Sequence, residues 1–165
     1  MEVRWLRPGE MRAWLAYVAT ASLLEAALER QLQRDSGMPH TYYQILAILS
    51  DQPDVTLRMS DLASLTQSSQ SRLSHAVGKL ETSGWIRRSP CRDDRRGTLA
   101  TLTDTGRRML EAAAPGHVRA VRRHLFDRLT CEQIEQLGDI LETVLGGLRA
   151  ERGGGVPFPG AALRD

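Results

Sequence analysis

The chain has 165 residues, 22 of them lysine or arginine and 20 aspartate or glutamate, for a formal net charge of +2. Its 41% hydrophobic and 25% charged residues are ordinary globular usage, which excludes an intrinsically disordered chain and a membrane-embedded one. The near-balance of charge excludes a protein that is basic all over, so any surface for a polyanion has to come from local clustering of arginine.

The first structured segment opens at Pro8-Gly9 and runs as a helix to Gly37-Met38-Pro39, with proline at the entry and glycine past the exit. Its apolar positions Trp14, Leu15, Tyr17, Val18, Ala21, Leu24, Ala27 and Leu28 wrap more than one stripe, the pattern of a helix covered from two sides. The run 13–24 is too short for a bilayer, which takes about 20 apolar residues. Glu2 and Glu10 spoil the basic leader of a secretory signal, so the chain reads as cytoplasmic, with no membrane partner. A second helix over 41–50 turns Ile45, Leu46, Ile48 and Leu49 inward. Val55-Thr56-Leu57 is β-prone, and Ser60-Asp61 supplies an N-cap and first-turn acid for a helix with Leu62, Ala63 and Leu65. After Thr66-Gln67-Ser68 a fourth helix runs to about residue 83 and stops at Gly84. Leu73, Ala76, Val77 and Leu80 form its one core stripe, and the opposite face, centred on Ser68, Ser71, His75 and Thr82, has no large apolar group.

Residues 85–89 and 98–102 alternate as half-buried strands around a charged loop, 90–97. Thr103-Asp104 caps a fifth helix expected to reach about residue 129 with a kink at Pro115-Gly116. Thr130 and Gln133 form a capping box for a last helix to about residue 149, through Ile134, Leu137, Ile140, Leu141, Val144, Leu145 and Leu148. Gly153-Gly154-Gly155 lies in a tail, 151–165, expected to be disordered.

Two short helices joined by a polar turn and followed by a hairpin with a charged tip make a winged helix-turn-helix. The expected fold is therefore mainly α, an α+β winged helix-turn-helix with a small β-hairpin wing and long terminal helices. Residues 39–103 form the DNA-binding region of that scheme, and 1–38 with 104–150 the helical dimerisation region. The outer helices carry more apolar surface than the central module can cover, which points to a second copy of the chain, a homodimer.

The run Leu73-Ser74-His75-Ala76-Val77-Gly78-Lys79-Leu80-Glu81-Thr82-Ser83-Gly84-Trp85-Ile86-Arg87-Arg88 resembles the recognition helix and first wing strand of the MarR (multiple antibiotic resistance regulator) family. Asp94-Arg95-Arg96-Gly97 followed by Leu102-Thr103-Asp104-Thr105-Gly106 resembles that family's wing signature leading into Leu-Thr-x-x-Gly. The resemblance spans the chain from first helix to last and implies a transcription repressor. Such a protein binds double-stranded DNA at a pseudo-palindromic operator as a dimer and is relieved by a small-molecule effector. It also implies Arg96 as the inserted wing residue and Asp94 as its organiser.

The residues have their own chemistry beside the resemblance. Small polar side chains near the start of a recognition helix let it approach base edges, and Ser68, Gln70, Ser71, Arg72, Ser74 and His75, with Lys79 beside them, meet that need. Arg92, Arg95 and Arg96 sit on a loop that reaches phosphates or a narrow minor groove. The competing readings are a solvated helix face and a merely soluble hairpin tip. Of Arg87 and Arg88, at alternating strand positions, only one need face DNA.

For the effector, which in the family is often a small anionic aromatic compound bound between the DNA-binding lobe and the dimer helices, the candidates are Trp14, Tyr17, His40, Tyr42, Tyr43 and Arg58. Core packing is the competing reading of these aromatics. His117 and His124, seven apart without a third ligand, read as exposed polar residues, and no metal or cofactor is expected. Cys91 lies among Arg92, Arg95 and Arg96, which favour a thiolate, so a redox-sensing regulator is an alternative; Cys131, at a helix start, is either similarly poised or buried. No nucleophile elbow, phosphate loop, paired metal-spaced acids or Ser-His-Asp arrangement is present, so no catalytic residue is expected. A winged helix used as a protein-interaction module is the remaining rival, and it predicts binding with little salt dependence.

Overall fold

A computed structural model describes residues 3–91, 94 and 97–151. Helix α1 (Pro8–Ser36) starts on a one-sided cap: the Glu10 carboxylate accepts the Arg7 backbone N–H at 2.8 Å, and Pro8 occupies the first turn. It ends at Gly37, whose φ of 64° only glycine adopts without strain, and Met38 then folds back with its N–H on the Leu32 carbonyl and its side chain fully buried. Helix α2 (His40–Ser50) follows at once. Strand β1 (Thr56–Arg58), helix α3 (Met59–Leu65) and helix α4 (Gln70–Thr82) lead to strands β2 (Ile86–Pro90) and β3 (Thr98–Leu102). Helix α5 (Asp104–His124), a 3-10 turn (Phe126–Arg128) and helix α6 (Cys131–Glu151) complete the order.

The winged helix-turn-helix of the sequence reading is therefore present, mostly helical, with an antiparallel sheet of order β1-β3-β2. In it Leu57 faces Ala100, and Ile86 faces Leu102. The core is continuous from α1 to the sheet: Leu32 and Met38, then Ile45, Leu46 and Leu49 of α2, Leu62 of α3, Leu73, Val77 and Leu80 of α4, and Ile86, Ala100 and Leu102 of the strands. The four residues read as the core stripe of the fourth helix are its four buried ones.

Local details depart from the sequence reading where tertiary contacts decide. The N-cap of α3 is Arg58, so Ser60 lies inside the first turn and its hydroxyl donates to Asp61 Oδ1. Helix α5 runs unbroken through Pro115, since Gly116 lets it press on α1: a Cβ at Gly116 would stand 3.0 Å from Gln31 Nε2 and 3.2 Å from Asp35 Oδ2. It ends at His124 rather than near residue 129. Leu125 leaves helical geometry, and Arg128 Nε donates to the Arg123 carbonyl at 3.3 Å, capping the end. The Thr130–Gln133 capping box forms as read, with Gln133 N–H donating to Thr130 Oγ1 at 3.2 Å and Thr130 N–H donating to Gln133 Oε1 at 2.9 Å.

One joint holds the sheet to the long helices. Thr103 Oγ1 donates to the Gly84 carbonyl at 2.7 Å and accepts the Gly106 N–H at 3.0 Å, while the Thr103 N–H donates to the Trp85 carbonyl. Three residues on, Gly106 is buried, and a Cβ there would stand 2.1 Å from the Trp85 carbonyl oxygen and 2.8 Å from Leu102 Cδ1.

Two helical surfaces have no cover. Residues 11–23 of α1 are all exposed, and α6 has no buried residue although it carries Ile140, Leu141, Val144, Leu145 and Leu148. Among the described residues no helix is long and apolar enough to cross a membrane.

The Gly106 approach gives the first prediction. Because the obstructing atom is backbone, Gly106→Ala destabilises the fold by about 3 kcal/mol, at the upper end of overpacking costs. At Gly78 of α4, where a Cβ meets nothing within 4 Å, Gly78→Ala instead stabilises by about 0.5–1 kcal/mol through helix propensity. Urea midpoints of the two variants check both signs; equal midpoints would refute the close contact.

Candidate nucleic-acid interface

Helix α4 is held so that one face is sunk and the other is open. The turn before it tightens at Gln67, whose φ is 51°, and the Ser68 N–H donates to the Ala63 carbonyl at 3.0 Å. Ser69, which the sequence reading passed over, is the N-cap: its hydroxyl oxygen accepts the Arg72 N–H at 3.3 Å. A serine directly before the helical pattern was the signal for it. With Leu73, Ala76, Val77 and Leu80 buried, Gln70, Ser71, Arg72, Ser74, His75 and Lys79 all lie exposed, and Ser68 is half-buried in the turn.

Between the first half of α4 and the sheet lies a groove of about 390 Å³ lined by Arg58, Ser60, Gln70, Ser74, Arg88 and Asp94 among others. Both of its arginines are already paired. Arg58 Nη1 meets Asp94 Oδ2 at 3.3 Å across the groove, and Arg88 donates to Glu81 from its backbone N–H at 3.1 Å and from Nε at 2.8 Å. That grip holds the Glu81 carboxyl below the usual carboxylate range. Arg87, on the opposite side of the strand, is exposed. At the base of the wing the Cys91 N–H donates to the Gly97 carbonyl at 2.9 Å, and a Cβ at Gly97 would stand 3.1 Å from Cys91 Cβ. Cys91 is thus half-buried, whereas Cys131 is exposed. Arg92, Arg95 and Arg96 lie outside the described residues.

The six residues named as effector candidates fall in different places. Trp14 and Tyr17 stack against each other, ring centres 6.2 Å apart, on the uncovered part of α1. His40 and Tyr43 sit where α2 meets α1 and α5, and the His40 N–H donates to Glu29 Oε2 at 2.7 Å. Fifteen residues separate Trp14 from Glu29, roughly 22 Å along a helix. Arg58 belongs to the groove beside the wing. Tyr42 packs half-buried against the core.

The sequence reading missed the third ring of the middle cluster. His117 of α5 lies 4.2 Å from Tyr43 and 5.4 Å from His40, ring centre to ring centre, and its Nδ1 is buried without a partner. It is half-buried rather than exposed, because Gly116 draws α5 against α1. Burial, and then the His40 imidazole beside it, push His117 down to about 4; burial also lowers His40, against the pull of Glu25 and Glu29, and raises the Tyr43 hydroxyl.

A family model described as MarR family matches residues 36–97. Among solved structures the chain is similar to Sco3205, a MarR family transcriptional regulator from Streptomyces coelicolor crystallised in complex with DNA. The two share 51% identity with a TM-score of 0.84, over 90% of this chain and 92% of that one. It is similar also to AbsC, a MarR family regulator of the same organism, at 39% identity and a TM-score of 0.82, over 90% and 99%. The HTH-type transcriptional regulator PapX of Escherichia coli is 28% identical over 109 residues, and the match spans 66% of each chain, just under two thirds of that relative's length.

Proposed function

The chain belongs to the MarR family of transcriptional regulators, and from that premise we propose that it represses transcription by holding a pseudo-palindromic duplex operator as a homodimer. The observation that carries this reading is the open face of α4, where six exposed polar or basic side chains from Gln70 to Lys79 stand opposite a fully buried stripe. Nothing larger than arginine, lysine or histidine stands on that face to hold the helix off base edges. The DNA-bound relative, at half identity over nine-tenths of the chain, supports the same reading. In this scheme 39–103 grips DNA, with Arg92, Arg95 and Arg96 of the wing meeting phosphates or a narrow minor groove, Arg96 as the inserted residue and Asp94 as its organiser. Residues 1–38 and 104–150 hold the dimer. Repression follows from occupancy, since a dimer seated on a promoter-proximal site excludes the polymerase.

Arg96→Ala is expected to weaken operator binding by about 1–3 kcal/mol per half-site with fold and oligomer intact. The operator comes from selecting genomic fragments with the purified protein, and titration at fixed salt gives the affinity. Unchanged affinity would remove Arg96 from the interface, and affinity insensitive to salt would favour a protein-interaction module instead.

The dimer is inferred from the bare faces of α1 and α6. Two recognition helices related by a dyad call for half-sites centred roughly 10 base pairs apart. Replacing Leu141 and Leu145 together by aspartate is expected to abolish both dimer and operator binding. Sedimentation that found a stable wild-type monomer still gripping one half-site would overturn the arrangement.

An effector, read as a small anionic aromatic compound, would act at the cluster of His40 and Tyr43, the part of the expected site that lies at the junction of the lobes. It acts only through unequal affinity for DNA-competent and DNA-incompetent arrangements. A coupling of about 1–3 kcal/mol lowers operator affinity roughly 5- to 150-fold. A calorimetric screen of phenolic acids, repeated with Tyr43→Ala and with operator present, checks this; binding that leaves operator affinity unchanged would count against it.

A further inference from the structure

We propose that the joint between the first helix and the DNA-binding lobe is a proton-sensitive hinge: α1, α2 and α5 stay packed only while His117 is neutral, and its protonation loosens the joint and weakens DNA binding. The inference goes beyond the effector reading and needs no ligand. It rests on the DNA-binding reading only for the second of its two readouts.

The geometry is that of a ring clamped without a counter-group. His117 is stacked on Tyr43 at 4.2 Å and on His40 at 5.4 Å, and its Nδ1 is buried and unpartnered. Beside it Gln31, 4% exposed, leaves its own Oε1 unpartnered because its Nε2 is turned to Asp35 Oδ2 at 2.9 Å. Reversing that amide would set its oxygen against a carboxylate. The close approach of Gly116 to Gln31 and Asp35 leaves α5 no slack along this line.

The charged and titratable groups at this joint come from three helices. From α2, His40 and Tyr43 lie against the ring; from α1, Glu25 and Glu29 act on His40; Asp35 of α1 and Arg119 of α5 lie at Gly116, the residue before the ring. Glu29 is occupied by the His40 N–H and by Gln33 Nε2, and Asp35 by Gln31. His40 adds only positive charge. An imidazolium at His117 thus meets desolvation first and then the His40 imidazole beside it, and this is why its pKa falls from 6.5 to about 4.

The sign follows from that depression. In the packed joint the ring resists protonation, whereas in a loosened joint it regains its ordinary value. Packing is therefore undiminished above about pH 6.5 and is lost progressively as pH falls toward 4. With those two values, opening at pH 5.5 is favoured by up to about tenfold per protomer, less as water screens a half-buried ring.

The test is hydrogen exchange of the full-length protein at pH 7.5 and 5.5, corrected for intrinsic rates, on the amides of residues 28–36 and 113–120, beside operator titrations at the same two pH values. The comparison protein is His117→Phe, which keeps a ring on Tyr43 and cannot titrate. The wild type is expected to lose several-fold protection in acid, up to about tenfold, and His117→Phe to lose little. Operator affinity of the wild type falls in acid relative to the variant, a ratio in which any acid effect shared by the two proteins cancels. Should His117→Phe fail to fold, His40→Gln serves: removing the neighbouring imidazole is expected to shrink the acid loss. Equal protection loss with and without the substitution, or none in either, overturns the hinge. Loss of protection with no change in the affinity ratio overturns its link to DNA. A wild type that binds no DNA at either pH sinks the DNA-binding reading instead, and the exchange data still decide the hinge.

Discussion

The contact between Gly106 and the Trp85 carbonyl is the constraint from which the rest of the structure follows. A helix cannot normally begin flush against another chain segment, because Cβ atoms hold backbones apart. Here the missing Cβ lets the first turn of α5 seat on the residue that ends the recognition helix turn, with Thr103 bonding to both Gly84 and Trp85. The strand pair and α4 are thereby fixed to the long helix that carries the joint with α1. A rotation of the helical part has no soft place to dissipate before it reaches α4. The Leu102-Thr103-x-x-Gly106 pattern is thus a mechanical part: leucine fills the core, threonine bridges two carbonyl groups, and glycine makes the room.

Charge at the interface is organised by pairing more than by excess. With a net charge of +2, the chain keeps Arg58 and Arg88 in the groove each on a carboxylate. These pairs are exposed and individually worth little. Their effect is geometric: Arg58 ties β1 to Asp94 at the wing, and Arg88 ties β2 to the end of α4, so the wing and the recognition helix keep a fixed relation. In the proposed reading a polyanion is recognised by the exposed polar face of α4 together with the wing.

Much of this was legible in the sequence, and what was not shares one cause. Periodicity gave the buried stripe of α4, capping chemistry gave the Thr130 and Thr103 helix starts, and the bare apolar faces of α1 and α6 were readable as surplus hydrophobicity. Those signals are local, since each depends on residues within one or two turns. Arg58 was placed with the aromatic residues and His117 was read as exposed because their surroundings come from distant segments. Arg58 meets a wing residue 36 positions away, and His117 is buried by Gly116 closing on Gln31. Ser60 was misread for a subtler reason: a good capping residue lies inside the helix when the preceding strand already sets the backbone angle of Arg58. The end of α5 was set by Arg128 reaching back to a carbonyl, which no repeat pattern announces.

The bareness of α6 also bears on how much of this protein a cell can keep. A 21-residue helix with no buried residue has no packing of its own to hold it, so in the proposed dimer its persistence would depend on meeting a second copy. Association is second order, and the fraction of chains so protected therefore rises with copy number instead of staying fixed. In such a dimer, chains made at low expression would present this helix to chaperones and proteases for longer and would turn over faster. Halving gene dosage would then remove more than half of the assembled regulator. A paralogue with a matching last helix would drain the pool by exchanging subunits.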